Sequence, residues 1–333
     1  MPREAMNQNV NQGNADEELR SLLRRVRLVE LKTRKAVNAH AQGAYQSRFK
    51  GRGMAFSESR AYVPGDDPRH VDWNVTARSG ELYVKQFVEE RELVLLLAVD
   101  LSGSLSFGSK AQQKRQLAAE AAALMAFSAL RNHDKVGLLL FTDQVERLIV
   151  PKSGRSHVLR LLREILVCQP AHRGTDLAKA LRQVSLLSNK RAIVAVISDF
   201  MEPGALSAGT KEGLAGAMVH PAGKSDYVGI EKPMRVLSRR HDLLLFEVED
   251  PLERDLPDVG LLAVRDAETG QETLVDTSEP SVREAYREWM ERDRSGLRAK
   301  MAQLGAEHVT LRTGDDASRA LIRFLQRRAR RGR

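Results

Sequence analysis

From residue 93 onward the chain carries four continuous apolar runs, at 93–99, 136–141, 192–197 and 243–248. Continuous Val/Ile/Leu runs, as opposed to alternating ones, belong to strands covered on both faces. Between them apolar positions recur at helical spacing, which predicts helices over about 110–131, 155–167, 176–188 and 231–240. Strands that alternate with helices build βαβ units and a mostly parallel sheet. The segment 145–150 follows 136–141 after the short turn Thr142-Asp143-Gln144, which predicts a hairpin and an antiparallel edge strand. A second hairpin is predicted for 261–264 against 272–275 across Glu268-Thr269-Gly270. Long helices over 282–304 and 317–330, with a short strand at 308–311 between them, close the chain. The expected fold class is α/β, with a doubly wound, mostly parallel sheet of Rossmann type.

The texture before residue 93 is different. Residues 1–16 are rich in Asn and Gln and are expected to be disordered. A helix is predicted within 17–42, with Leu19, Leu22, Val26 and Val29 at helical spacing. Residues 43–92 hold several glycines, the turn Pro64-Gly65-Asp66-Asp67-Pro68 and a short alternating segment at 82–88. Such turn chemistry predicts small strands and loops, hence a small β-rich domain preceding the main one at 93–333. Within the main domain, 203–230 is rich in Gly, Ala and Ser with little periodicity, and is expected to form a long loop or insertion at the mouth of the sheet.

Composition narrows the class. At 42% hydrophobic and 29% charged residues, the chain is an ordinary globular protein. No apolar run approaches the roughly 18 residues of a membrane span, and the polar start has no apolar core of a secretory signal. A cytoplasmic location is therefore expected. Cys168 is the single cysteine, which excludes an intramolecular disulfide and a cysteine-built zinc site. The net charge is +9 and the stretch 323–333 is crowded with arginine. That points either to nucleic acid or an acidic partner, or to the solvated end of a surface helix. Nucleic acid is disfavoured, because no recognised nucleic-acid module accompanies the charge. No G-x-x-x-x-G-K-[ST], G-x-S-x-G or H-E-x-x-H occurs, which removes the simplest nucleotide-binding, hydrolase and zincin readings, and no catalytic residues are assigned.

The candidate chemistry sits where the first strand ends. Asp100-Leu101-Ser102-Gly103-Ser104 places a carboxylate and two hydroxyls at its carboxyl end, where open α/β sheets bind ligands. Gly174-Thr175-Asp176 precedes a helix, with Thr175 positioned to cap it or to aim its hydroxyl at a ligand. Ser198-Asp199-Phe200 ends another strand. Asp100, Ser102, Ser104, Thr175 and Asp199 thus offer two carboxylates and three hydroxyls. Hard oxygen donors of this kind suit Mg²⁺ or another divalent cation, whose charge the two carboxylates balance, leaving a position for water or an incoming carboxylate. A phosphoryl-accepting role for Asp100, as in a metal-dependent phosphohydrolase, is the alternative. It is weakened by Ser102, which stands where that chemistry favours a second acid. A second polar cluster, Arg60, Asp66, Asp67, Arg69, Asp72 and Trp73, surrounds one turn. It reads either as a docking or interdomain surface, or as a loop tied by ion pairs and Asx turns with Trp73 anchored by burial.

The Asp-x-Ser-x-Ser segment, the threonine loop and the strand-end aspartate resemble the metal-ion-dependent adhesion site of a von Willebrand factor A-type domain. The block from Glu58 to Trp73, with Ala77-Arg78, Phe87, Glu90 and Arg91, precedes that domain. Ser198-Asp199-Phe200, Arg240-His241-Asp242 and Asp250-Pro251-Leu252-Glu253 lie within it. Together they resemble the bacterial family called domain of unknown function 58, over about residues 43–330. The resemblance implies metal binding by Asp100, Ser102, Ser104, Thr175 and Asp199. It also implies partnership with AAA+ ATPases of the MoxR group, in assembly, maturation or metal-cofactor insertion of other complexes. The expected function is a non-enzymatic, Mg²⁺-dependent interaction module whose metal accepts an Asp or Glu of a protein partner, with nucleic-acid binding through the basic C-terminal helix as the competing class. Two departures stand out: 203–230 is longer than the family pattern needs, and the membrane helices many members carry before this region are not found here.

Overall fold

The computed structural model describes residues 20–21, 23–24, 55–88, 93–109, 112–188, 190–201, 228–265, 267, 270 and 272–331. The chain divides into two units, one spanning 49–93 and the other comprising 1–48 and 94–333. Of the helix expected within 17–42, residues 20–21 and 23–24 are described and are helical. Residues 1–16 and 203–227 lie outside the described residues.

In the smaller unit β1 (Ala55–Ala61) pairs antiparallel with β2 (Tyr83–Val88). The connection is not all loop and strand, as the sequence suggested. It contains a 3₁₀ turn at Pro68–His70 and a helix, α1 (Trp73–Ser79). Two aspartates start these turns. Asp67 accepts the Arg69 N–H, and Asp72 accepts the N–H groups of Asn74 and Val75, satisfying donors that a helix start leaves open. Gly80 ends α1 in the left-handed conformation at φ 77°, which glycine adopts without steric cost.

In the larger unit six strands form one sheet: β3 (Val94–Asp100), β4 (Lys135–Phe141), β5 (Val145–Lys152), β6 (Ile193–Ser198), β7 (Asp242–Glu249) and β10 (Glu307–Arg312). Their order is β10-β7-β6-β3-β4-β5, all parallel except β5, which turns back on β4 as the expected antiparallel edge. The apolar runs are buried on both faces, as their continuity requires: Leu95–Val99 and Ile193–Ile197 are almost wholly shielded from water. The remaining strands, β8 (Leu261–Arg265) and β9 (Glu272–Asp276), make the predicted second hairpin as a separate two-stranded sheet.

Helices cover both faces. On one lie α4 (Leu177–Leu186), α5 (Val228–Arg240) and α7 (Pro280–Gln303), whose Leu181, Met234, Leu237, Leu297 and Met301 share a core with Leu96, Val194 and Leu245. On the other, the alanine-rich α2 (Lys114–Arg131) contacts α3 (Arg155–Val167) and α8 (Ala317–Arg331). A short helix, α6 (Pro251–Arg254), follows β7. Two expectations are corrected here. Helix α2 begins at Lys114 rather than near 110, because the Lys114 N–H folds back onto the Phe107 carbonyl at 2.9 Å. Helix α5 begins at Val228, so residues 228–230 belong to it and not to the 203–230 insertion.

Candidate metal centre

The chain order reverses between β3 and β6, and the carboxyl ends of these two strands bring the predicted residues together. Asp100 is the last residue of β3 and fully buried. Its Oδ1 accepts the Ser102 N–H at 2.8 Å, and its Oδ2 accepts the Ser198 hydroxyl at 2.6 Å. The Ser102 and Ser104 hydroxyls lie 3.0 Å apart. Asp199, one residue past β6, is also fully buried, and the Ser104 hydroxyl helps to stabilise its charge. The next residue, Phe200, has φ 55°, a left-handed conformation that a bulky residue adopts at a cost of about 1–3 kcal/mol and that clusters at functional sites.

The threonine loop is the fifth predicted element. It is tied to the first by the Gly103 N–H, which donates to the Arg173 carbonyl at 2.9 Å. Thr175 is half-buried in this loop. It does not cap the following helix: Asp176 does, accepting the Lys179 N–H at 2.8 Å. The tip of the β8–β9 hairpin reaches the same place, since a Cβ added at Gly103 would run into the Ala267 carbonyl oxygen. Glycine at 103 is therefore needed for close backbone approach.

Four residues not predicted as site residues complete the centre, two of them, Ser198 and Glu253, named above only within motifs. Lys114, the first residue of α2, is entirely buried, and its ammonium donates to Asp199 Oδ2 at 2.8 Å and to Glu253 Oε1. Glu253 is itself held by the capping box of α6, where its Oε2 accepts the Asp250 N–H at 3.2 Å. The Ser198 hydroxyl is the one bonded to Asp100. Arg294 of α7 donates to the Asp199 carbonyl oxygen at 2.9 Å and to Glu247. The sequence holds only a faint signal for these cations: Arg294 falls at helical spacing with Met290, Leu297 and Met301, and α2, which Lys114 opens, is buried on most sides.

The electrostatics follow from this packing. Burial, and then the charge of Asp199, push the Asp100 carboxyl up to about 7. Burial would raise Asp199 as well, but the Lys114 ammonium bonded to it overrides that and holds it below the usual carboxylate range. Glu253 is raised by burial despite its bond to Lys114. Burial likewise works against the Lys114 ammonium, yet Asp199 and Glu253 keep its pKa above the ordinary value. Asp199 and Glu253 share the Lys114 ammonium, and Arg294 also acts on Asp199. Asp100, in contrast, has no bonded cation among the described residues and, like Glu253, is pushed towards its neutral form. Among the described residues no three His, Cys, Asp or Glu side chains form a metal cluster, so a cation here would depend on the serine and threonine hydroxyls. That donor set still fits a hard divalent ion, which accepts neutral oxygens and waters alongside carboxylates.

The other predicted cluster is placed differently. Arg60 and Asp66 form a two-pronged pair at 2.7 and 2.8 Å, Asp67 caps the 3₁₀ turn, and Asp72 accepts the Ser59 hydroxyl at 2.8 Å while capping α1. These contacts tie the loop together, as the structural reading of that cluster expects. Arg69 is exposed and enters only through its backbone N–H. Trp73 is 69% exposed, so it does not anchor the unit by burial as expected. It is the first residue of a short helix whose buried neighbours, Val71 and Asp72, precede it.

With β3 taken as the first strand of the large sheet, the order is the 3-2-1-4-5-6 of a doubly wound fold. An antiparallel edge strand and Asp-x-Ser-x-Ser at the switch point make this the arrangement of a von Willebrand factor A-type domain. The chain belongs to the family described as protein of unknown function DUF58, whose family model matches residues 58–296. Uncharacterized proteins of Mycobacterium tuberculosis and Mycobacterium bovis are 31% identical over 309 residues, covering 92% of this chain and 89% of theirs. Among solved structures, an aerotolerance-related membrane protein from Bacteroides fragilis aligns at 13% identity and TM-score 0.43, covering 71% of this chain and 99% of that one. The conserved hypothetical protein BatB from Bacteroides thetaiotaomicron aligns at 15% identity and TM-score 0.41, covering 72% and 99%. It is the strand order, not these likenesses, that defines the fold. Among the described residues no helix is long and apolar enough to cross a membrane.

Proposed function

We propose that this chain is a non-enzymatic, divalent-cation-dependent protein-interaction module, working as an adaptor with a MoxR-type AAA+ ATPase in the assembly or maturation of other complexes. The observation that carries the reading is the buried oxygen-donor set at the switch point, where Asp100 has no bonded cation among the described residues. Asp100, Ser102, Ser104 and Asp199, with Thr175 on the adjoining loop, would hold Mg²⁺ directly or through water. The bound ion would supply a Lewis-acidic anchor for a carboxylate of the partner. Lys114 keeps Asp199 charged and bonds Glu253, and Ser198 orients Asp100. Both oxygens of Asp100 accept hydrogen bonds, which suits a positioned ligand better than a phosphoryl acceptor. The ATPase partnership rests on the family resemblance.

Calorimetric titration of the full chain with MgCl₂ and MnCl₂ tests the site. One saturable site is expected, lost in Asp100→Ala while the far-ultraviolet dichroism is unchanged. Co-purification with a MoxR-type AAA+ ATPase of the same organism should then require Mg²⁺ and fail in chelator. Absence of metal binding by the native chain, or full retention of the ATPase by Asp100→Ala in chelator, overturns the reading.

A further inference from the structure

The sheet has a second distinctive border, at β10. This strand pairs with β7 on one side and, among the described residues, with no strand on the other. Successive side chains of a strand point to opposite faces, and parallel neighbours in register point the same way. Val309 is in register with Phe246, whose ring meets Phe324 of α8 edge-on with centroids 6.0 Å apart. Thr310 is in register with Glu247, whose carboxylate receives Arg294 and Arg298 of α7. Helices α7 and α8 therefore flank β10 on opposite faces, and a groove of about 620 Å³ runs between them along the strand.

The walls of this groove carry one sign of charge. Arg298 comes from α7, while Ala320, Arg323 and Arg327 come from one stripe of α8 at i, i+3 and i+7. Among the described residues, no acidic side chain lines it. Arg298 already reaches Glu247 at 3.4 Å. Arg323 and Arg327 are exposed and, among the described residues, have no carboxylate within ion-pair distance. Their spacing along α8 is about 6 Å, from four residues at 1.5 Å rise. Alternate residues of an extended chain are about 6.6 Å apart, so two of its same-face side chains match that pair of guanidiniums.

We propose that this groove binds an acidic segment of a partner protein in extended conformation, added as a strand to the free edge of β10. Backbone hydrogen bonds to β10 supply the register, and carboxylates at alternate positions face Arg323 and Arg327. Exposed sheet edges are ready templates for such pairing, and main-chain bonds combined with side-chain pockets are its usual means of recognition. A groove that runs along an unpaired strand edge suits an extended peptide better than a nucleic-acid duplex, which needs positive charge spread over a broad face. The groove residues are distinct from those of the candidate metal centre, so binding should persist in chelator.

The test uses the full chain and a fluorescein-labelled octapeptide alternating glutamate with valine, followed by fluorescence anisotropy at low salt. Saturable binding is expected, retained in chelator and weakened at least tenfold in the exposed double variant Arg323→Glu/Arg327→Glu. Amide exchange should slow at residues 307–312 when the peptide is present. A peptide of the same sequence, N-methylated at alternate backbone positions, should lose binding. Equal binding of the methylated peptide means bare charge attraction and overturns the proposal. No peptide binding, or capture by these arginines of a single-stranded oligonucleotide in preference to the peptide, overturns it as well.

Discussion

The Arg60–Asp66 pair and the Asp199–Lys114–Glu253 chain are built from the same kinds of charge at similar distances, and water makes them different objects. Arg60 keeps 40% of its side chain exposed, whereas the Lys114 and Asp199 side chains keep none. An ion pair in water exchanges solvation for contact at little net gain, and its loss is absorbed by solvent. A pair in the interior has already lost its hydration, so each partner becomes indispensable to the other whatever the pair is worth as a whole. The same arithmetic explains why the interior cluster is the better candidate for a ligand site. Its carboxyl groups are cut off from water, which pushes Asp100 towards its neutral form, and a bound cation would hold it charged.

This contrast can be broken most severely at Lys114. Lys114→Met should lower the unfolding free energy by about 3–5 kcal/mol in urea titration at neutral pH, because Asp199 and Glu253 lose the ammonium bonded to both. Millimolar Mg²⁺, but not Na⁺ at equal ionic strength, should restore part of that loss. A midpoint unmoved by the substitution would mean that the lysine is not the counter-charge described here.

A smaller effect is expected at Glu247, which sharpens the comparison by titration. Burial alone would raise this carboxyl, yet His308 beside it and the Arg294 guanidinium hold it at about 2, against an ordinary 4.5. A folded-state pKa depressed in this way stabilises the protein above the ordinary value, and the contribution is lost as pH falls from about 4.5 towards 2. At 1.36 kcal/mol per unit the contribution is about 3 kcal/mol. The stability gap between the native chain and Glu247→Gln, followed by urea titration between pH 6 and 2, should therefore close on acidification. A gap that stays constant over that range would contradict the assignment. The smallest effect belongs to the exposed pair: Arg60→Ala should leave the urea midpoint within experimental error, and a clear shift would show that exposure does not set the difference.

What could be read along the chain, and what could not, divides on the same line between local and distant information. The strands of the large sheet and both hairpins follow from runs and turns that are contiguous in sequence. Asp100, Ser102, Ser104 and Asp199 were legible because each sits at the end of such a run, where the sheet itself dictates the meeting point. Lys114 was not, since its partners lie 85 and 139 residues away, and a lysine in a first helical turn reads as solvated until the sheet closes over it. Arg294 was hidden in the same way within a helix dominated by exposed charge. Trp73 misled in the opposite direction: a tryptophan suggests burial, but here Val71 and Asp72 fill the buried positions and the indole is left in solvent.

Helix α7 has a consequence beyond packing. Arg294 and Arg298 are one turn apart on this 24-residue rod, and both rest on the single carboxylate of Glu247. Arg294 continues to the backbone carbonyl of Asp199, while Arg298 faces the groove beside β10. Whatever draws Arg298 off Glu247 changes the field that Arg294 feels, and with it the seat of Asp199. The two places then share a coupling free energy, and by reciprocity an occupant of either one alters the affinity of the other by the same factor. One glutamate makes the protein's two candidate contacts thermodynamic neighbours.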